Sequence, residues 1–177
     1  MFKPHYPPHL YVDQQIYFIT ARTVNQELFF SSQNKKLILY KTIGEAGRKF
    51  QSNFYTWSIL SNHYHLLFKM ARGKDLPDFI QTINGKSAFQ LNKIDRVQKR
   101  KIWFNYWDHC IRDEVDFWKH FNYIHHQPVK HGLCKTQTEA FQYPFSSAGQ
   151  WIGKRGLGWI ESVFELHPIV DFTVEGD

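Results

Sequence analysis

Two short stretches of the chain hold side chains of the kinds that do chemistry together. The first is Ser61-Asn62-His63-Tyr64-His65-Leu66-Leu67-Phe68. On a pleated strand alternate side chains share a face, so His63 and His65 point one way, and Tyr64, Leu66, Phe68 and Met70 the other. Two imidazoles one residue apart can converge on a single cation, while the opposite row is apolar enough to be core. The second stretch is Phe121-Asn122-Tyr123-Ile124-His125-His126-Gln127-Pro128. At about 100° per residue, Phe117, Trp118, Phe121 and Ile124 make one apolar stripe. Tyr123 and Gln127, one turn apart, lie beside each other outside it. Singly, each feature has a plainer reading: ten histidines make chance His-x-His pairs common, and a tyrosine near a polar helix end is ordinarily surface.

Jointly they describe a reaction. A tyrosine is a nucleophile toward phosphorus, but with a pKa of about 10 it stays mostly protonated at neutral pH. It needs a cation that polarises the phosphoryl group and holds the scissile phosphate in line. Two imidazoles and an amide oxygen are neutral donors, so a bound divalent ion keeps its full charge. The set suits cleavage of a phosphodiester through a covalent phosphotyrosine. Nitrogen donors favour Mn²⁺, Zn²⁺ or Co²⁺ over Mg²⁺, although phosphate oxygens and waters could supply the harder ligands.

Elements must bring these side chains together. Residues 15–21 read as a first strand, rich in β-branched and aromatic residues. Ser31 or Ser32 can cap a helix running to about Phe50, with Leu37, Tyr40, Ile43 and Ala46 or Gly47 inward. Runs at 54–60 and 63–70, joined by Ser61-Asn62, read as a hairpin. A second helix spans about Asp75 to Ile94, with Leu76, Phe79, Ile80, Ile83, Phe89 and Leu91 buried. Residues 102–111 read as a fourth strand. Asp113 can cap a third helix ending at Gln127, because Pro128 disfavours helical geometry before it. From Tyr143 onward the chain reads as an irregular tail whose Trp151, Trp159 and Phe164 cover exposed surface. The order β-α-β-β-α-β-α predicts an α+β, ferredoxin-like antiparallel sheet covered by helices.

Charge is distributed unevenly over the 177 residues: residues 1–101 carry 16 Lys and Arg against 6 Asp and Glu, and residues 102–177 carry 6 against 10. The formal net charge of +6 therefore understates how basic the first part is, and a polyanion such as nucleic acid is the expected partner. Lys93, Arg96, Lys99, Arg100 and Lys101, opposed only by Asp95, form the densest basic run. They read either as a solvated loop or as a phosphate-contacting rim. With 42% hydrophobic and 21% charged residues, wholesale disorder is excluded. Two cysteines exclude a four-thiolate zinc site. No apolar run approaches the roughly 18 residues of a membrane span, and Met-Phe-Lys-Pro-His lacks the apolar stretch of a secretory signal. A cytoplasmic protein with no membrane partner is expected.

The His63-Tyr64-His65 strand resembles the His-hydrophobic-His motif of single-tyrosine HUH nucleases, and Tyr123-x-x-x-Gln127 is similar to their nucleophile and third metal ligand. The fuller strings LSNHYHLLF, YIHHQPVKHGL and YPFSS, spread over about residues 10–152 in the right order, resemble the IS200-type transposases. More closely, they resemble REP-associated tyrosine transposases. The resemblance implies the HUH nuclease fold, with Tyr123 attacking a DNA phosphate to become 5′-phosphotyrosyl and to free a 3′-OH. It implies that His63, His65 and Gln127 hold a divalent ion, Mg²⁺ or Mn²⁺. The substrate it implies is single-stranded DNA with an imperfect hairpin, cut and rejoined without ATP by a monomer or homodimer. Two positions depart from the pattern: REP-associated members commonly have Asn where Gln127 stands, while IS200-type enzymes use Gln there, and family strings often have Pro where Ser61 stands. Residues 1–130 are expected to form the transposase domain, and 131–177 a C-terminal extension packed on or near it. Rival readings are a catalytically silent hairpin-DNA or RNA-binding module on the same scaffold, and a hydrolase using an activated water.

Overall fold

Four stretches rich in aromatic and β-branched residues form the strands β1 (Ile16–Thr23), β2 (Asn53–Ile59), β3 (His63–Lys69) and β4 (Trp103–Cys110). They build one antiparallel sheet in the order β2-β3-β1-β4. The structure is a computed structural model and describes residues 11–169. The first five residues, Tyr6 and His9 lie outside that range. Helix α1 (Gln33–Lys49) joins β1 to β2, α2 (Leu76–Asp95) joins β3 to β4, and α3 (Glu114–Lys130) follows β4. This is the ferredoxin-like α+β arrangement.

Alternation along the strands divides the sheet into two unlike faces. One face carries Tyr17, Ile19 and Ala21 of β1 with Tyr64, Leu66 and Phe68 of β3, packed with Leu39, Ile43 and Ala46 of α1 and Phe79, Ile80 and Ile83 of α2. On the other face Phe18 and Leu67 meet Phe121, Tyr123 and Ile124 of α3. Beside Phe18 on that second face stands Thr20, and beside Leu67 stand His65 and His63. The core on one side thus fixes the register, and the register fixes which side the histidines occupy.

Helix entries follow the capping residues. Ser32 accepts from the Lys35 amide and Asp113 from the Asp116 amide, each satisfying a donor that the first turn would leave open. Gly47 is required by packing, since a Cβ there would lie 2.4 Å from the Phe54 ring.

Four expectations are corrected. The inward stripe of α1 is Lys36, Leu39, Thr42, Ile43 and Ala46, and Leu37 and Tyr40 face outward. On α2, Phe89 is 71% exposed. Helix α3 does not stop at Gln127 but runs through Pro128 to Lys130. Proline costs the helix one amide donor, while its own carbonyl accepts from Leu133 and Cys134 as the chain turns away. The tail from Tyr143 onward is not irregular: after α4 (Gln137–Phe141) it forms α5 (Ala148–Arg155) and α6 (Leu157–Leu166). Trp151, Trp159 and Phe164 pack on the α3 layer around Phe121 and Phe141, as their aromatic character suggested.

Residues 143–151 also close the outer edge of β2. Ile59 donates to the Phe145 carbonyl, Ser147 donates to Trp57, and the Trp151 indole donates to Tyr55. A row of strand groups otherwise open to pairing is thereby occupied.

Candidate active site

His63 and His65 come from β3, with ring centroids 4.9 Å apart, and both are buried. Each uses its Nδ1 on a neighbouring side chain. His65 Nδ1 lies 2.9 Å from Thr20 Oγ1, directly across the β1–β3 ladder. His63 Nδ1 lies 2.7 Å from Asn62 Oδ1. The Asn62 amide nitrogen donates to the Gln26 carbonyl, so its oxygen is the end turned to His63 and can only accept. His63 Nδ1 therefore carries the proton, and Nε2 keeps the lone pair that a cation needs. The Nε2 atoms of both rings and Oε1 of Gln127 are shielded from solvent. Burial pushes the His63 pKa well below 6.5, helped by the neighbouring His65, His131 and Lys130, against a hydrogen bond with the Gln127 side chain. The ring is neutral at pH 7, the form that ligates metal.

Helix α3 brings Tyr123 and Gln127 to this pair. The Tyr123 ring lies 5.6 Å from that of His65, and Gln127 reaches His63 by its side chain. Neither is a surface residue: Tyr123 is 2% and Gln127 0% exposed. Because α3 continues past Pro128, Lys130 falls two turns from Tyr123 on the same side. Its Nζ donates to the Tyr123 hydroxyl at 3.1 Å and stands 5.1 Å from the ring centre. His131 follows, its ring 4.5 Å from His63. All four side chains singled out for chemistry thus lie in one place.

Other histidines serve the scaffold. His125 is fully buried, and its Nε2 meets Thr56 Oγ1 at 2.7 Å and Ser147 Oγ at 2.8 Å, those two hydroxyls being 2.8 Å apart. Of the paired serines after Pro144, Ser147 makes this clasp and fastens the segment beyond α4 to β2 and α3, while Ser146 Oγ accepts from the Ala148 amide. His126 points away and meets Gln137. His109, which shows no partner pattern in the sequence, meets Asp116 at 2.8 Å, and His120 meets the same carboxylate at 3.1 Å. These three offer ligand atoms within 4.8 Å of one another and could accept a cation. His109 bonds the Asp116 carboxylate at 2.8 Å and His120 Nδ1 bonds the Asp116 backbone carbonyl at 2.8 Å, so the group ties the end of β4 to the first turns of α3. Burial opposes ionisation of Asp116, but hydrogen bonds from His109 and the Arg112 amide outweigh it and lower its pKa.

The basic run is placed less uniformly. Lys93, Arg96, Lys99 and Lys101 are exposed, which suits phosphate contact. Arg100 is engaged within the protein: its guanidinium pairs with Asp95 at 2.7 Å, which also holds Lys35 at 2.8 Å, and it covers the Phe29 ring. Among the described residues, Lys101 extends toward the site's side of the sheet, 5.8 Å from the Phe104 ring.

The family described as "Transposase IS200 like" matches residues 11–127, a span that contains every residue of the His63–His65–Tyr123–Gln127 group. The chain belongs to that family. Among relatives of this chain, the REP-associated tyrosine transposase of Escherichia coli (strain K12) is 26% identical over 140 residues, 77% of this chain and 78% of that one. A Haemophilus influenzae protein with a similar name is 31% identical over 100 residues, 50% of this chain. The chain spans about half the length of that relative, 54%. The solved structure of a REP-associated tyrosine transposase bound to a REP hairpin superposes with a TM-score of 0.73 at 21% identity, covering 97% of this chain and 96% of that one. The shared fold is the HUH arrangement. Within it, sequence reading missed Thr20, Asn62 and Lys130. Asn62 directly precedes His63 and was within reach of a local reading; Thr20 needs the strand register, and Lys130 needs the helix to survive its proline.

Proposed function

We propose that this IS200-like transposase cuts and rejoins single-stranded DNA beside a REP-like imperfect hairpin, through a 5′-phosphotyrosine at Tyr123. The observation that carries the reading is the convergence of a buried phenol with two oriented imidazoles and an amide on one face of the sheet. The phenol oxygen of Tyr123 attacks the scissile phosphorus. A P–O bond to tyrosine forms, the bond to the 3′ oxygen breaks, and that oxygen leaves as a 3′-OH with a proton. Rejoining runs the same step backwards with a 3′-OH as nucleophile, so no ATP is consumed. The Lys130 ammonium stabilises negative charge as it develops on the attacking oxygen.

His63, His65 and Gln127 fit a divalent ion: the His63 ring is neutral, each ring has its Nδ1 committed elsewhere, and Gln127 contributes an amide beside His63. When bound, Mg²⁺ or Mn²⁺ there supplies Lewis-acid polarisation of a phosphate oxygen. Lys93, Arg96, Lys99 and Lys101 hold the DNA backbone, with Arg100 bracing the loop from within. The names of the relatives support hairpin DNA as substrate. We assign the chemistry to residues 1–130 and the bracing of β2 and α3 to residues 131–177, in a cytoplasmic monomer or homodimer. None of the helices among the described residues is long and apolar enough to cross a membrane.

The test is incubation of the protein with a hairpin-bearing single strand and Mn²⁺, followed by denaturing electrophoresis. Wild type should give a DNA-shifted band that Tyr123→Phe lacks. An equal band from the variant would remove Tyr123 from the reaction, and DNA fragments without any shifted band would favour an activated water.

A further inference from the structure

The sheet face that holds the histidines continues beyond them onto the edge strand β4. Across β1, Arg22 stands between His63 on β3 and Asn105 on β4, and Thr20 stands between His65 and Trp107. The ladder is irregular at Arg22/Thr23. At this point Phe104, 49% exposed, lies 6.4 Å from the Trp107 ring. The Arg22 guanidinium covers both rings, at 5.1 Å from Phe104 and 4.8 Å from Trp107, and Lys101 Nζ approaches Phe104 at 5.8 Å. The patch is therefore two aromatic rings with a planar cation over them and a second cation beside them. Of these four side chains only Lys101 has a part in the proposed function, as a backbone contact; Arg22, Phe104 and Trp107 have none.

We propose that Phe104, Trp107 and Arg22 form a stacking subsite for an unpaired base next to the scissile phosphate. This rests on the reading of Tyr123 as a DNA nucleophile and adds where the substrate's neighbouring nucleotide goes. The placement carries it. Trp107 is two strand spacings from His65, about 10 Å, so a strand whose phosphate lies at the histidines can lay a flanking base on the patch. Its charged members, Arg22 and Lys101, are both cations, matching a backbone that is negative and bases that offer flat π faces. Stacking tolerates any base, so the subsite would strengthen binding of unpaired DNA without reading its sequence. The bulge is what allows it: by breaking the register at Arg22/Thr23, it lets Phe104 join Trp107 on the same side.

The experiment places 2-aminopurine singly at each position flanking the cleavage site and measures its fluorescence on binding. It uses protein carrying Tyr123→Phe, so stacking is read without chemistry. Quenching should appear at one or two flanking positions. It should be lost in the added double variant Phe104→Leu with Trp107→Leu, and kept with Phe104→Tyr and Trp107→Phe. The leucine pair should weaken binding about tenfold on an intact strand and leave binding unchanged on one made abasic at the quenched position. Equal quenching and affinity in the leucine and aromatic forms would overturn the subsite. So would preference for an RNA strand of the same sequence. A wild-type protein that forms no covalent adduct would fail the strand-transfer reading while leaving the fluorescence result readable on its own.

Discussion

Each imidazole of the β3 pair needs one nitrogen oriented before the other can serve. For His63 the partner is the adjacent Asn62; for His65 it is Thr20, a residue 45 positions earlier that only strand pairing brings near. Replacing Thr20 by valine keeps the shape and removes the hydroxyl, so the His65 ring loses what holds its Nδ1. Losses of orienting partners to metal-binding histidines ordinarily cost 10–100-fold in metal affinity or activity. Thr20→Val is expected to raise the Mn²⁺ concentration for half-maximal cleavage by about tenfold or more, measured by metal titration, with thermal stability nearly unchanged. An unaltered titration would remove Thr20 from the site. His63, His65, Tyr123 and Gln127 were legible in the sequence because alternation and helical spacing are local rules. Thr20 was not, because register is a property of two strands. That the tyrosine and glutamine would be buried was also hidden, since burial there comes from β3 and not from α3.

At the scale of elements, the site depends on α3 lying across the sheet, and two features hold it there. Pro128 lets the helix run on to Lys130 with one amide bond missing, a length that the residue before a proline argued against. The second feature is the clasp of His125, Thr56 and Ser147. Burial lowers the His125 pKa from 6.5 to about 3, and that of His120 to about 4, against hydrogen-bonding and charge from Asp116. Both are neutral in the fold, whereas the unfolded chain protonates its histidines below pH 6.5. The folded state then binds fewer protons, so stability is constant above about pH 6.5 and falls as pH drops from there toward the folded values. Each pH unit of that interval costs about 1.4 kcal/mol per histidine. Chemical denaturation at pH 7 and pH 5 should show a loss of about 2–4 kcal/mol, with a smaller loss in His125→Gln. A pH-independent midpoint across that range would contradict the buried neutral state. The strands and first three helices were legible because their apolar periods are long. The short helices α4, α5 and α6 were not: five, eight and ten residues give too few turns for a period to show, and they exist by packing on α3.

For the whole molecule, the division of the sheet into a core face and a chemical face is the main consequence of the ferredoxin-like order. The central strands β3 and β1 put His63, His65 and Thr20 on the second face, where RNA-binding domains of similar shape put aromatic platforms. Of the aromatics on that face, Phe18 of β1 is covered by α3, and Phe104 and Trp107 stand at the edge instead. The basic first part of the chain supplies β1, β3 and the loop before β4, and the more acidic second part supplies α3 with its tyrosine. The net charge alone pointed to a polyanion; the arrangement supports the proposal of a strand that is both held and cut. The most direct measurement is intact-protein and peptide mass spectrometry after reaction with a hairpin-bearing single strand and Mn²⁺. Attack by Tyr123 should give a protein mass increased by the 5′-phosphorylated downstream fragment, carried on the peptide containing Tyr123, with a free 3′-OH on the other fragment. Cleaved DNA beside protein of unchanged mass, or the adduct on another residue, would contradict it.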